Sequence, residues 1–148
     1  MNLEFSSQAS ITSREAVEAL LFFNPQQQRI HKGLLDSLNR FGHPRLAQSG
    51  RGLSVRVGTN ETQTLFAVDT HLSTSGPVGL IVFTRIAPAD IAIIHVSVHP
   101  NYAFLGSMAG DGLGLGVILI DQVKEIASRI VGVKRIIIPY RQEVVIPV

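Results

Sequence analysis

The sequence predicts an α/β (α+β) domain, with a mixed, mostly antiparallel central sheet flanked by helices and a β-α-β crossover through a helix at 112–130. Three observations carry that prediction. Strand-length runs of alternating or continuous apolar residues recur between Leu53 and Val98, and the short turns between them imply antiparallel neighbours. A helical period then holds from Gly112 to Ile130. Three consecutive isoleucines, Ile136 to Ile138, follow at a separation from Val98 that suits a parallel crossover.

The elements read in order as follows. Met1 to Phe5 is a short strand with Leu3 and Phe5 on one face. Thr12 and Glu15 match a capping box, with Thr12 as N-cap. Ala16, Val17, Leu20, Leu21 and Phe23 follow at helical spacing until Asn24-Pro25 ends or kinks the helix. Ile30, Leu34, Leu35, Leu38 and Phe41 suggest a second helix, ended near Gly42-His43-Pro44. Arg45 to Gly52 reads as a polar loop. Strands are then expected at Leu53–Val57, Thr62–Thr70, Val78–Ile86 and Ile91–Val98, the last apolar enough to lie centrally in a sheet. In the following helix Leu113, Val117, Ile120, Val123, Ala127 and Ile130 share one face, and Gly132 is the expected C′ residue. The apolar stretch Glu143 to Val148 is strand-prone and suits pairing with the sheet of a second subunit, so a homodimer is expected.

Composition narrows the function classes. The 148 residues suit a single domain spanning 1–148, and 45% of them are hydrophobic, enough for a core. Mean hydropathy is +0.27, and no apolar run reaches the roughly 18 residues of a membrane span. No basic-then-apolar leader opens the chain, so a cytoplasmic protein without membrane attachment is expected. There are no cysteines, which excludes disulfides, thiolate metal sites and a cysteine nucleophile. The formal net charge is only +2, with no dense basic run, and nucleic acid is not an expected partner.

The segment most informative about function is Gly110-Asp111-Gly112-Leu113-Gly114-Leu115-Gly116. Each glycine in a helix costs about 1 kcal/mol against alanine, so several in an opening turn need a reason. One reason is close approach of backbone N–H groups to an anion at the positive end of a helix. No Gly-Lys-Ser/Thr follows, so this is not a P-loop. The G-x-G-x-G spacing and the preceding hairpins also separate it from the dinucleotide fingerprint.

Its setting resembles the GNAT N-acetyltransferases. Their signature is a strand ending Val-x-Pro, a loop, a basic-x-x-Gly-x-Gly turn and an amphipathic helix. Here Val98-His99-Pro100 ends the strand, the turn runs from Asp111 to Gly116, and Val117 to Ile120 continue the helix. The motif spans residues 94–120, while the order of elements resembles the family over most of the chain. Departures are Asp111 at the basic position, a longer stretch from Tyr102 to Gly114, and only ten residues after Ile138.

The resemblance implies acetyl-CoA as co-substrate and a small-molecule or peptide amine as acceptor, joined by direct attack on the thioester. It places the pyrophosphate on turn amides of Gly112, Leu113, Gly114, Leu115 and Gly116, beside Asp111. It places the pantetheine arm on the backbone of Val96, Ser97 and Val98, and the acetyl group between that strand and the one at Ile136 to Ile138. His95 stands where the family often has a base, and an ordinary imidazole suits proton removal near neutrality. Tyr140 is the candidate acid for the thiolate. His95 and His99 make a pair on one strand, but no third metal ligand has sensible spacing. Tyr102 reads as a loop anchor. Lys134, Arg135 and Arg141 are ordinary solvated cations or an offset for phosphate charge. Two other classes remain open: a GNAT-fold module that senses a ligand or mediates assembly without turnover, and an unrelated α/β protein binding another phosphate or nucleotide.

Overall fold

The computed structural model describes residues 2–22, 38, 40–59, 61–71, 76–102, 114–138 and 144–148. Its strands are β1 (Leu3–Ser6), β2 (Ala9–Ser10), β3 (Pro44–Ser49), β4 (Gly52–Val57), β5 (Gln63–Asp69), β6 (Gly79–Ala87), β7 (Asp90–Val98), β8 (Arg135–Ile138) and β9 (Val144–Pro147). Helices with both ends among the described residues are α1 (Arg14–Phe22) and α2 (Leu115–Ser128), with short 3-10 turns at Ile11–Ser13 and Pro100–Tyr102. One sheet has the order β1-β5-β6-β7-β8-β9 and a smaller one the order β2-β4-β3. Among the described residues only β7 and β8 pair in parallel, joined through α2 as the crossover spacing predicts.

The large sheet is covered on both faces, which is why β6 and β7 read as nearly continuous apolar runs. On one face α2 packs Leu115, Leu119, Val123 and Ala127 against Ile81, Phe83, Ile91 and Ile93. Burying Leu115, Leu119 and Val123 contributes about 1.5–3 kcal/mol each. On the other face α1 sets Val17, Leu20 and Leu21 among Leu53, Val55, Leu80, Val82 and Ile94. Gly79 on β6 lets α2 approach: a Cβ there would lie 2.9 Å from Leu115 Cδ2 and 3.2 Å from Leu119 Cδ1.

Several expectations are corrected. The first helical turn is capped by Ser10, whose hydroxyl accepts from the Thr12 N–H at 3.3 Å, not by Thr12. Arg45 to Gly52 is not a loop: β3 pairs antiparallel with β4 across a turn at Gly50, which sits at φ 58°. Strands β4 and β5 do not form a hairpin but belong to different sheets. Side chains join them instead, the hydroxyls of Thr62 and Thr64 reaching the Val55 carbonyl at 3.0 and 3.3 Å. The buried stripe of α2 includes Leu115 and Leu119, and Val117 is 43% exposed. Apolar residues occupy so much of this helix that two stripes were available, and contact with the sheet selected one. Gly132 lies beyond the helix end, with Arg129 as C-cap, and takes φ 89° in the next turn. The C-terminal strand β9 pairs antiparallel with β8 of its own chain and forms that edge of the large sheet. Of the expected second helix, residues 38, 40 and 41 are described, and they are helical.

Candidate functional site

The candidate site lies where the C-terminal end of β7 meets the start of α2. β5 and β7 both run antiparallel to β6, so their C-terminal ends share one end of the sheet. Strand β8 is registered with β7 only from Asp90↔Arg135 to Ala92↔Ile137 and itself ends at Ile138. Beyond Ala92 the far side of β7 therefore has no registered strand among the described residues. The His99 N–H donates to Val78 O on the β6 side at 2.8 Å. Strand alternation then turns the backbone polar groups of Val96 to the side away from β6.

Helix α2 begins directly against this strand end. Gly114 is its N-cap, in extended conformation and without a side-chain cap bond. A glycine N-cap has no side-chain oxygen of its own to offer the first N–H groups. A Cβ on Gly116 would stand 3.8 Å from Val98 Cγ2 and 3.9 Å from Val96 Cγ1, ordinary contact distances. Close helix–strand packing therefore does not demand glycine at 116. Gly79, opposite Leu115, is where packing does demand it, and no motif announces it.

Strand β7 carries a bulge in this stretch. The register passes from Val82↔His95 to Phe83↔Ile93, leaving Ile94 as the extra residue. His95 and Ser97 pair with Val82 and Leu80, so their side chains point to the α1 face of the sheet. Both are buried, at 5% and 3% exposure, and His95 Nε2 lies 2.7 Å from Ser97 Oγ. Burial pushes the His95 imidazole down from 6.5 to about 4. The ordinary pKa that suited His95 to proton removal is thus corrected: a base this weak is poorly matched to neutral pH. His99 is exposed, beyond the strand end, and its Nδ1 accepts from the Asn101 N–H at 3.1 Å. No cluster of three or more metal-binding side chains occurs among the described residues.

Tyr102 is an anchor, as its position suggests, and the structure supplies the partner that the sequence did not reveal. Its hydroxyl donates to Asp69 Oδ2 at 2.7 Å. Asp69 Oδ1 also accepts from the N–H groups of His71 at 3.1 Å and Asn2 at 3.3 Å. The Tyr102 bond is the chief cause holding the Asp69 carboxyl below 3.8; burial opposes it, and the two backbone donors reinforce it. Burial, then Asp69, raises the Tyr102 phenol from 10.0 to about 12.

Arg135 does not serve a phosphate at this site. It pairs with Asp90 through Nε–Oδ1 at 2.8 Å and Nη2–Oδ2 at 3.1 Å. Asp90 begins β7 and Val98 ends it, so the pair is roughly 25 Å from Val98 at strand spacing. Lys134 precedes β8 at that same far end. Of the predicted site residues, Val96, Ser97, Val98, Gly114, Leu115 and Gly116 are brought together, while Asp111, Gly112, Leu113, Tyr140 and Arg141 lie outside the described residues. Among those described, no helix is long and apolar enough to cross a membrane.

No protein-family model matches the chain, and no curated protein matches it. Solved structures with a similar chain path include an IAA acetyltransferase from Bacillus cereus, at 14% identity over 93% of this chain with a TM-score of 0.47. An acetyltransferase from Streptococcus agalactiae has 13% identity over 92% of this chain and 71% of its own, with a TM-score of 0.48. A Desulfovibrio desulfuricans protein assigned to the GNAT family of acetyltransferases has 17% identity over 93% of this chain and 72% of its own, with a TM-score of 0.46. The chain spans 65% of the length of the Bacillus cereus protein.

Proposed function

We propose that this chain is a GNAT-type N-acyltransferase that takes acetyl-CoA as co-substrate and an amine, of a small molecule or a peptide, as acceptor. The observation that carries the reading is the start of α2 on Gly114-Leu115-Gly116, set against Val96 and Val98 beyond the last β7–β8 pair. Unpaired N–H groups at a helix start suit a pyrophosphate. A strand side without a registered neighbour suits the amide groups of a pantetheine arm, with Val96 the residue turned that way. The fit is strengthened by Gly116: its missing Cβ has room to exist, so its cost of about 1 kcal/mol is explained by a ligand rather than by the β7 contact. Acetyl-CoA supplies an activated acyl group as a thioester. The chain's own part is to hold it, orient it and exclude water beside it.

A specific observation favours a second reading, a module that binds CoA without turnover. His95 is buried, engaged with Ser97 and lowered to about 4, which leaves the amine proton without a matched acceptor on β7. Calorimetric titration with acetyl-CoA, with dephospho-CoA, ATP and NAD as controls, tests the proposal. Selective micromolar binding of acetyl-CoA is expected, and acetylation of an amine panel then separates enzyme from module. No heat at millimolar acetyl-CoA sinks both readings, and preference for ATP or NAD points to an unrelated nucleotide-binding protein.

A further inference from the structure

We propose that the Tyr102–Asp69 pair positions the acyl-CoA site, by holding the chain that leaves β7 over toward β5 and away from the β7 side that faces β8; this rests on the acyl-CoA reading above. Tyr102 lies four residues past Val98, and Asp69 ends β5, two strands away in the order β5-β6-β7. To join them, the chain must turn back across the end of β6 as soon as β7 finishes. Each step of that turn is bonded. The His99 N–H donates to Val78 O at 2.8 Å, and the Tyr102 N–H donates to His99 O at 2.8 Å. The Asn101 N–H reaches His99 Nδ1 at 3.1 Å, and the rings of His99 and Tyr102 meet edge to face, 6.1 Å between centroids.

The pairing is more directional than packing requires. A phenylalanine would fill the space of the buried Tyr102 ring equally well. The hydroxyl instead commits the turn to one carboxylate, and that carboxylate is itself fixed by the N–H groups of Asn2 and His71. Bonds to an ionised acceptor are shorter and about twice as strong as neutral ones. The start of β1, the end of β5 and the turn after β7 are thereby fastened at one buried point, at the same sheet end as the α2 start.

The test uses Tyr102→Phe, acetyl-CoA calorimetry and amide hydrogen exchange. The variant is expected to bind acetyl-CoA about three- to tenfold more weakly, with faster exchange confined to His99, Asn101 and Tyr102. Asp69→Asn is the conservative rescue: its amide oxygen still serves the two backbone donors and its NH2 can reach the phenol oxygen. It is expected to bind nearer to wild type than Tyr102→Phe does. In the wild-type protein, acetyl-CoA is expected to slow exchange at those same three amides, because coupling between site and turn is reciprocal. That measurement needs no variant to fold, and unchanged exchange there overturns the proposal. Wild-type binding that Tyr102→Phe leaves within twofold overturns the positioning role alone. Absence of acetyl-CoA binding by the wild type overturns the acyl-CoA reading and the positioning role with it.

Discussion

Replacing His95 by Gln should remove the acid sensitivity that burial of this imidazole gives the protein's stability between pH 6.5 and about 4. The imidazole is buried at 5% exposure and sits at about 4 in the folded chain, against 6.5 for an ordinary histidine. Above pH 6.5 neither state binds the proton, and the group's contribution is fully present. Between 6.5 and about 4 the unfolded chain binds one proton more than the folded chain, so stability falls as pH falls. Each unit corresponds to about 1.4 kcal/mol, and the whole window to about 3 kcal/mol. A domain of this kind has only about 5–15 kcal/mol in total. Urea unfolding followed by far-UV circular dichroism at pH 7.5, 6.5, 5.5 and 4.5 reads the effect directly. His95→Gln keeps an amide within reach of Ser97 but cannot titrate. It should start less stable at pH 7.5, by about 1–2 kcal/mol for imperfect packing and hydrogen bonding. Its curve should then run flatter than wild type, so that the two converge near pH 5. The other four histidines are common to both proteins, so the difference isolates His95. Asp69 acts in a lower window: its depressed carboxyl contributes stability above 3.8 that is lost as pH falls through the folded value. Parallel curves for wild type and His95→Gln between pH 6.5 and 4.5 would refute the burial argument.

Two glycine substitutions separate ligand from packing. Gly116→Ala should stabilise the ligand-free protein by up to about 1 kcal/mol, since alanine is the better helix former and the Cβ meets Val98 and Val96 at 3.8 and 3.9 Å. The same change should weaken acetyl-CoA binding at least several-fold; a melting temperature that rises with unchanged affinity would remove Gly116 from the site. Gly79→Ala should instead destabilise by about 1–3 kcal/mol through overpacking, because its Cβ would press on the fully buried Leu115 and Leu119. A raised denaturation midpoint for Gly79→Ala would show that α2 can retreat from the sheet without cost.

What was legible in the sequence was whatever has a period. Alternation located β4, apolar runs bounded by turn residues located β5 to β7, the isoleucine run located β8, and the glycine turn located the start of α2 to within a few residues. What was not legible depends on partners far away in the chain. β3 is polar because it lies at the edge of the small sheet, where only one side is bonded, so its pattern reads as a loop. The split between β4 and β5 is made by threonine hydroxyls standing in for backbone pairing, and no local pattern announces that exchange. Ser10 and Thr12 are both capable caps, and the 3-10 turn decides between them. Tyr102 was readable as an anchor but not as a partner of Asp69, 33 positions earlier. His95 looked suited to catalysis because an unfolded imidazole is; only burial between two packed layers changes its proton affinity.

The two-faced burial of β7 also explains why its part of the site has so little signature. Ile91, Ile93 and Val98 are committed to the α2 core, and Ala92 and Ile94 to the α1 core. His95 and Ser97 satisfy one another inside that second face. A strand whose side chains are spent on packing in both directions has only its backbone left to offer a ligand. Backbone is the same for every residue type, so the proposed pantetheine contact at Val96 would not depend on its side chain. Glycine is the exception: on the proposed reading its missing side chain at a helix start would itself be the functional feature, and its cost in helix stability makes it visible. On the proposed reading an acceptor amine would, by contrast, be chosen by side chains. On this fold they must come from elements that flank the end of β7 rather than from β7 itself, and variants of β7 should therefore alter acetyl-CoA affinity while leaving acceptor preference unchanged.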